Sequence, residues 1–341
     1  MNQSLTCIRL TLGLLGLVAV PVLAQPASGP DGMRESQPSL DCTARMLSDA
    51  RFCEVREESY KSSSHFTVEG VHNGTLAVHG WNRDEILVRM RVEAEAGNDE
   101  DSVKLADQVE TNVDPTRLKV RGPNYQGLSF WPFGDEGKWT VSVELFVPHE
   151  YDVDAATHNG ALTMTDVKGT LHFTTHNGRL DLKRVAGNLR GSTHNGLVEV
   201  DGIEGAGRTD LELSTHNGGI DIRDVHGRLE FSTHNGSVDL TDVAGNVSGS
   251  THNGQIRVTL AGDSFASQSL DLGTHNGAIR VRMPANFAAH VDMRTHNGHM
   301  DSEFPTVPGR FNDRKMEFDV GGGGPTIRLA TFNGPIDLEK R

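Results

Sequence analysis

Residues 215–236 read THNGGIDIRDVHGRLEFSTHNG, which is one complete structural unit and the start of the next. Thr215-His216-Asn217-Gly218 leads into an alternating run with Ile220 and Ile222. The turn Asp224-Val225-His226-Gly227 follows, then a second run with Leu229 and Phe231, before Thr233 reopens the motif. Period-two alternation marks a half-buried strand, so each unit reads as two short strands and two turns. Working outward, Thr-His-Asn-Gly recurs with its histidine at His158, His176, His194, His216, His234, His252, His275 and His296, at spacings of 18, 18, 22, 18, 18, 23 and 21 residues. Leu180, Leu182 and Val185 repeat the apolar phase, as do Val238, Leu240 and Val243, and Ile279 and Val281 follow it with some drift. A degenerate copy, Thr331-Phe332-Asn333-Gly334, closes the series, and an early one, Val71-His72-Asn73-Gly74, stands apart from it.

Repetition at this period means stacked supersecondary units. Asn-Gly is also a hairpin signal, but equivalent strands of successive units are not neighbours in a meander, and propeller blades need about forty residues. In a parallel solenoid each coil lies about 4.8 Å from the last and identical side chains stack into ladders, which rewards the same residue at the same position. The expected fold is all-β: a single-chain parallel β-helix, or β-solenoid, of about 18 residues and two short strands per coil, with a less regular N-terminal β region. Alternation carried back from Phe231 points Thr215 inward, His216 outward and Asn217 inward at the corner, where Gly218 would take a positive φ. The extra residues of longer units, such as 263–269, belong in loops between strands.

The chain divides into four parts. Residues 1–24 carry Arg9, an apolar run from Leu10 to Leu23 and a small-residue cleavage pattern at Val22-Leu23-Ala24, the marks of a signal peptide. Residues 25–63 read as a flexible leader, 64–150 as a β region capping the first coil, and 151–341 as the repeat solenoid. Cys7 leaves with the signal, and Cys42 and Cys53 form an even pair in an exported chain, which predicts one disulfide in the leader. No cysteine at the cleavage point supports a lipid anchor, and no later run of 18 apolar residues supports a transmembrane segment in the mature chain. Asp99 to Glu110 could form a short acidic-capped helix. With 46 acidic against 32 basic residues the net charge is −14, and loss of Arg9 makes it −15. An acidic surface repels phosphates, so nucleic acid is excluded as a partner.

The eight histidines are the candidate site. Neighbouring imidazoles about 4.8 Å apart could lean together to share a zinc, nickel or copper ion, since metal–nitrogen bonds are about 2 Å. They are otherwise a corner residue copied by unit duplication, and in either case the fold itself requires no cofactor. Protonation is a second use: adjacent imidazolium charges repel by about 1 kcal/mol in water, so the file would titrate as a coupled group. A second outward row holds Asp181, Glu199, Asp221 and Asp239 and changes sign at Arg257 and Arg280. It reads as a solubilising face, because single carboxylates at this spacing do not build a calcium cage. Gly262-Asp263-Ser264 lacks the strand-to-helix setting that activates a serine nucleophile. The loop Phe130-Trp131-Pro132-Phe133-Gly134 concentrates aromatics in a chain that has few, and reads as a cap on the core or as a binding tip.

Val-Glu-Gly-Val-His-Asn-Gly at 68–74 (with Glu69 and Gly70), Gly-Trp-Asn-Arg-Asp-Glu-Ile-Leu-Val at 80–88 and the Thr-x-Asn-Gly units together resemble the bacterial adhesin-like β-solenoid proteins, a domain family of unknown function. The resemblance covers about 65–341. It implies a parallel, right-handed β-helix and carries over no catalytic residue. Histidine within the motif is a departure from the family pattern. The sequence therefore points to an exported, non-enzymatic β-solenoid in the periplasm, at the cell surface or in the medium, acting as an adhesin-like or envelope-associated scaffold. Its partner would be an envelope glycan or protein, with metal binding by the histidine file as an added property. The alternative is a carbohydrate-active parallel β-helix enzyme, a lyase or glycosidase, which would need clustered acids in a groove.

Overall fold

A computed structural model describes residues 40–43, 50–123, 137–202, 209–262, 268–305 and 310–341, with backbone alone at Arg310 and Phe311. The signal segment, the aromatic loop Phe130–Gly134 and the Asp263–Ser264 pair lie outside the described residues.

Two parallel strand ladders run side by side along the molecule. The first strand of each coil pairs with the first strand of the next: Asp152–Thr157 with Lys168–Thr175, then Ala186–Thr193, then Asp210–Thr215. The second strands do the same, as Leu162–Thr165, Leu180–Lys183 and Val198–Asp201 pair in register. Ile220–Thr233 and Val238–Asn253 each run through the Asp-x-x-Gly turn and contribute to both ladders. At that turn Asp224 and Asp242 adopt φ 52° and 53°, left-handed values that a short polar side chain tolerates.

Alternation buries one face of every strand. Leu180, Leu182, Val198, Val200, Ile220, Ile222, Val238 and Leu240 are each at most 1% exposed. Size is balanced between coils: Phe173 lies beside Gly191 and Phe231 beside Gly249 in the parallel register. A Cβ on Gly191 would fall 2.0 Å from the Phe173 ring, so each glycine makes the space that a phenylalanine fills.

The stack begins earlier in the chain than the regular motif does. His65–Val71 and Leu76–Trp81 form a complete coil that pairs in parallel with Asp152–Thr157 and Leu162–Thr165. The chain then leaves to build the end of the molecule. Arg117–Arg121 and Lys138–Pro148 lie parallel to this coil on its far side, and Glu85–Glu95 pairs antiparallel with Lys138–Pro148. A helix, Asp99–Asp107, is capped by the Asn98 side chain accepting from the Asp101 amide at 2.9 Å, and buries Leu105 and Ala106. Phe52–Lys61, which the sequence placed in the flexible leader, is instead a strand paired antiparallel with Glu85–Glu95 over its whole length. Its dense charge hid it, because those charges are matched across the sheet, as in Arg89 with Glu57 and Glu144. Cys42 and Cys53 form the expected disulfide, with Cα atoms 5.8 Å apart, and pin the chain where this strand begins.

At the other end the order of coils departs from the order of the chain. Thr326–Asn333 and Ile336–Lys340, the last strands in sequence, stack directly on Ser269–Asn276 and Ile279–Met283. Ala289–Asn297 and Met300–Ser302 then stack outside them. Lys315–Val320 pairs antiparallel with Ala289–Asn297, and Arg310–Asn312 with Lys315–Val320, so the first strand of the final coil is covered by a hairpin whose inner strand runs against the solenoid direction. Among the described residues no helix is long and apolar enough to cross a membrane.

Candidate functional site

Each first strand ends at a corner built from one threonine, one histidine, one asparagine and one glycine. The threonines point inward and are buried, and from Thr175 to Thr331 each Oγ1 donates to the carbonyl of the motif glycine on the preceding coil, at 2.9–3.2 Å. The asparagines, expected inward, are exposed. Period-two alternation carries through His216 and fails at Asn217, where the backbone bends out of the strand, so His216 and Asn217 both face outward. The coil-to-coil amide ladder forms all the same: each Nδ2 donates to the Oδ1 of the preceding asparagine at 2.7–2.9 Å, from Asn159 on Asn73 through to Asn333 on Asn276 and Asn297 on Asn333.

The glycine is also required for a different reason than expected. None of the eight Thr-His-Asn-Gly glycines is in the left-handed region. A Cβ at Gly178, Gly196, Gly218, Gly236 or Gly254 would instead meet the carbonyl oxygen of the motif glycine below at 1.8–1.9 Å. Close approach of backbones, not φ, selects glycine at this corner.

With the three other positions fixed, the histidines stack. From His158 to His275 successive ring centroids are 4.8–4.9 Å apart with ring planes within 1–4° of parallel. Phe332 continues the stack 4.9 Å from His275, and His296 lies 4.6 Å beyond Phe332. At the other end His72 joins His158 at 5.6 Å with a 35° tilt, and Trp139 lies 6.5 Å from His72. His72 and Phe332 belong to the arrangement although neither was counted among the site residues. Their Asn-Gly context was the signal. Burial, and then the neighbouring charges of His176 and His72, push the His158 imidazolium below its usual range.

Among the described residues none of the eight stacked imidazoles from His158 to His296 makes a hydrogen bond or an ion pair. Histidines elsewhere do: His172 meets Asp154 at 3.0 Å, His149 meets the Asp166 carbonyl at 2.7 Å, and His290 meets Asp319 at 2.7 Å. The rings do not lean together. A ring nitrogen's lone pair lies in the ring plane, and nearly parallel planes do not converge on one ion, so a metal in one plane is out of reach of the next lone pair. The stack offers one nitrogen per coil. Among the described residues no group of three or more His, Cys, Asp or Glu is placed to hold a metal.

The second outward row is in register as expected, with Asp181, Glu199, Asp221, Asp239, Arg257 and Arg280 on successive coils. Its carboxylates are engaged by bases: Lys183 with Asp181 at 3.3 Å, Arg179 with Glu199, Arg223 with Asp221 at 2.7 Å and Arg257 with Asp239 at 3.0 Å. On the opposite strand face an open depression of about 430 Å³ is lined by Arg190, Glu212, Arg228 and Glu230 among others, and there too each glutamate has an arginine within 3.5 Å.

A family model described as Toastrack DUF4097 matches residues 87–339, from the first capping strands through the final coil. The chain belongs to the toastrack family. Solved structures similar to this toastrack chain include a "putative lipid binding protein" from Parabacteroides distasonis, 11% identical, covering 83% of this chain and 96% of its own, with a TM-score of 0.41. Two others are each a "putative adhesin". The one from Bacteroides fragilis is 10% identical, covers 84% and 97% of the two chains and has a TM-score of 0.33. The one from Parabacteroides merdae is 10% identical, covers 84% and 95%, and has a TM-score of 0.33. No curated protein matches the toastrack chain.

Proposed function

We propose that this toastrack protein is an exported, non-enzymatic scaffold of the bacterial envelope whose repeated corner binds divalent transition metals. One observation carries the reading: eight exposed imidazoles, evenly spaced and nearly parallel, whose nitrogens have no partner among the described residues. Zinc, nickel and copper are the ions that imidazole suits, and the acidic chain, at −14, draws cations toward it. The Cys42–Cys53 disulfide supports an oxidising compartment. We extend the reading to an adhesin-like role, with an envelope glycan or protein as the further partner. Against the alternative of a carbohydrate-active enzyme stand the outward carboxylates themselves. Each is already engaged by a neighbouring lysine or arginine, whereas a glycosidase sets two carboxyl groups across a groove from one another.

The test is calorimetric titration of untagged residues 25–341 with zinc and with nickel, at pH 7.5 and at pH 5.5. Micromolar binding of more than one ion per chain at pH 7.5, lost at pH 5.5 where protons compete with the metal for its ligands, is the expected result. Replacing His176, His194, His216 and His234 together with glutamine should lower the number of ions bound and leave the circular dichroism spectrum unchanged. An unchanged stoichiometry would remove the stack from the reading.

A further inference from the structure

We propose that the metal sites of the stack are completed between two copies of this chain, with each ion taking one imidazole nitrogen from each copy. The inference rests on the metal-binding reading above and adds where the remaining ligands come from. Within one chain the geometry supplies a single nitrogen per ion. The rings are 4.8–4.9 Å apart and within 1–4° of parallel, and no third or fourth protein ligand stands near them among the described residues. One imidazole alone is a weak ligand, and transition metals such as zinc favour four. A second copy laid along the first carries the same period and places a nitrogen opposite each ion, with water in the positions that remain.

The flanks of the stack admit such a partner. On one side the outward row is small and uncharged through the interior coils, with Thr174, Ser192, Ser214, Ser232, Ser250, Gly273 and Ala330 on successive coils, and takes a charge, Arg294, only on the outermost one. On the other side runs the asparagine ladder, whose amides are already committed to one another. In a chain with 46 acidic residues this strip carries no carboxylate of its own, and the next outward row on the same strands sets Glu212 and Glu230 against Arg190 and Arg228, so the faces that would meet are not a row of like charges. Each bridge is weak, but once one ion has joined the copies in register the next sites are preassembled, so affinity multiplies along the seam. Binding and pairing should therefore appear together over a narrow range of metal concentration.

Sedimentation velocity on untagged residues 25–341, with zinc or nickel added at pH 7.5, tests this against the calorimetric stoichiometry. The expected result is conversion of monomer to dimer as metal binds, reversed by chelator and by pH 5.5. The double substitution Ser214→Arg and Ser232→Arg leaves every histidine in place and sets a charge beside the rings. It should prevent pairing and raise the metal concentration needed for half-saturation by about tenfold. If the chain remains monomeric while binding metal at full stoichiometry, or if the arginine variant binds as the parent does, the sites lie within one chain and the inference fails while the metal reading survives. No binding by either method overturns both.

Discussion

At the corner, a single methyl group decides whether one coil can lie on the next. Gly218→Ala would set a Cβ 1.8 Å from the Gly196 carbonyl oxygen and 2.8 Å from the Thr215 hydroxyl, and the backbone it meets cannot swing aside as a side chain can. We expect destabilisation of about 3 kcal/mol, read as a lowered midpoint in urea unfolding. Gly273→Ala is the matched control, because the nearest atom to its Cβ is the Ser250 Cβ at 3.7 Å. There the substitution should be neutral or stabilise by about 0.5 kcal/mol through a less mobile unfolded chain. Equal losses at both positions would contradict close approach as the reason for glycine. The repeat made Thr215, His216 and Phe231 legible in direction, since strand alternation reaches them. It did not reach Asn217, because alternation stops where the chain bends, and the reason for glycine at 218 depends on a neighbouring coil that a local pattern does not contain.

Among the elements, the two ends of the solenoid are built differently from its middle. Interior coils follow chain order, which could be read from the spacing of the histidines. The order of the last two coils could not, because Thr295-His296-Asn297-Gly298 and Thr331-Phe332-Asn333-Gly334 present the same inward threonine and the same amide ladder to His275. The intervening hairpin and the Gly321–Gly324 linker decide it. Three of those glycines lie at positive φ, and they let the chain double back from Val320 to Thr326. Thr326–Asn333 is thus held between strands on both sides. Deleting residues 326–341 should therefore release the coil of Ala289–Asn297 and Met300–Ser302 as well as the hairpin against it. Limited proteolysis of that variant is expected to trim back to near Met283. Protection of 289–320 in the truncated chain would contradict this order. The strand Phe52–Lys61 was hidden for the opposite reason: its stabilising pairs are charged and lie across the sheet, so they carry no apolar period.

For the molecule as a whole, acid acts in two stages. Burial holds the His79 imidazolium low, and burial with neighbouring rings does the same for His158. Below about pH 6.5 the unfolded chain binds protons at these positions more readily than the folded chain does, so stability present above that pH is lost as pH falls. Arginine partners hold the Asp166 and Asp292 carboxyls low, through Arg184 and Arg294, and their contribution is lost only below the ordinary carboxylate range near pH 3.8. Tm should fall between pH 7.5 and 5.5 and again below pH 4. His79→Gln should shrink the first fall and leave the second unchanged, while an undiminished first fall would remove His79 as a cause. The placement of the C-terminal coil also bears on how such a protein can change length over evolutionary time. Thr326–Asn333 and Ile336–Lys340 lie inside the stack and not at its edge, so a coil added by duplication among the near-identical 18-residue units lengthens both ladders in the middle and leaves this interleaved end as it is.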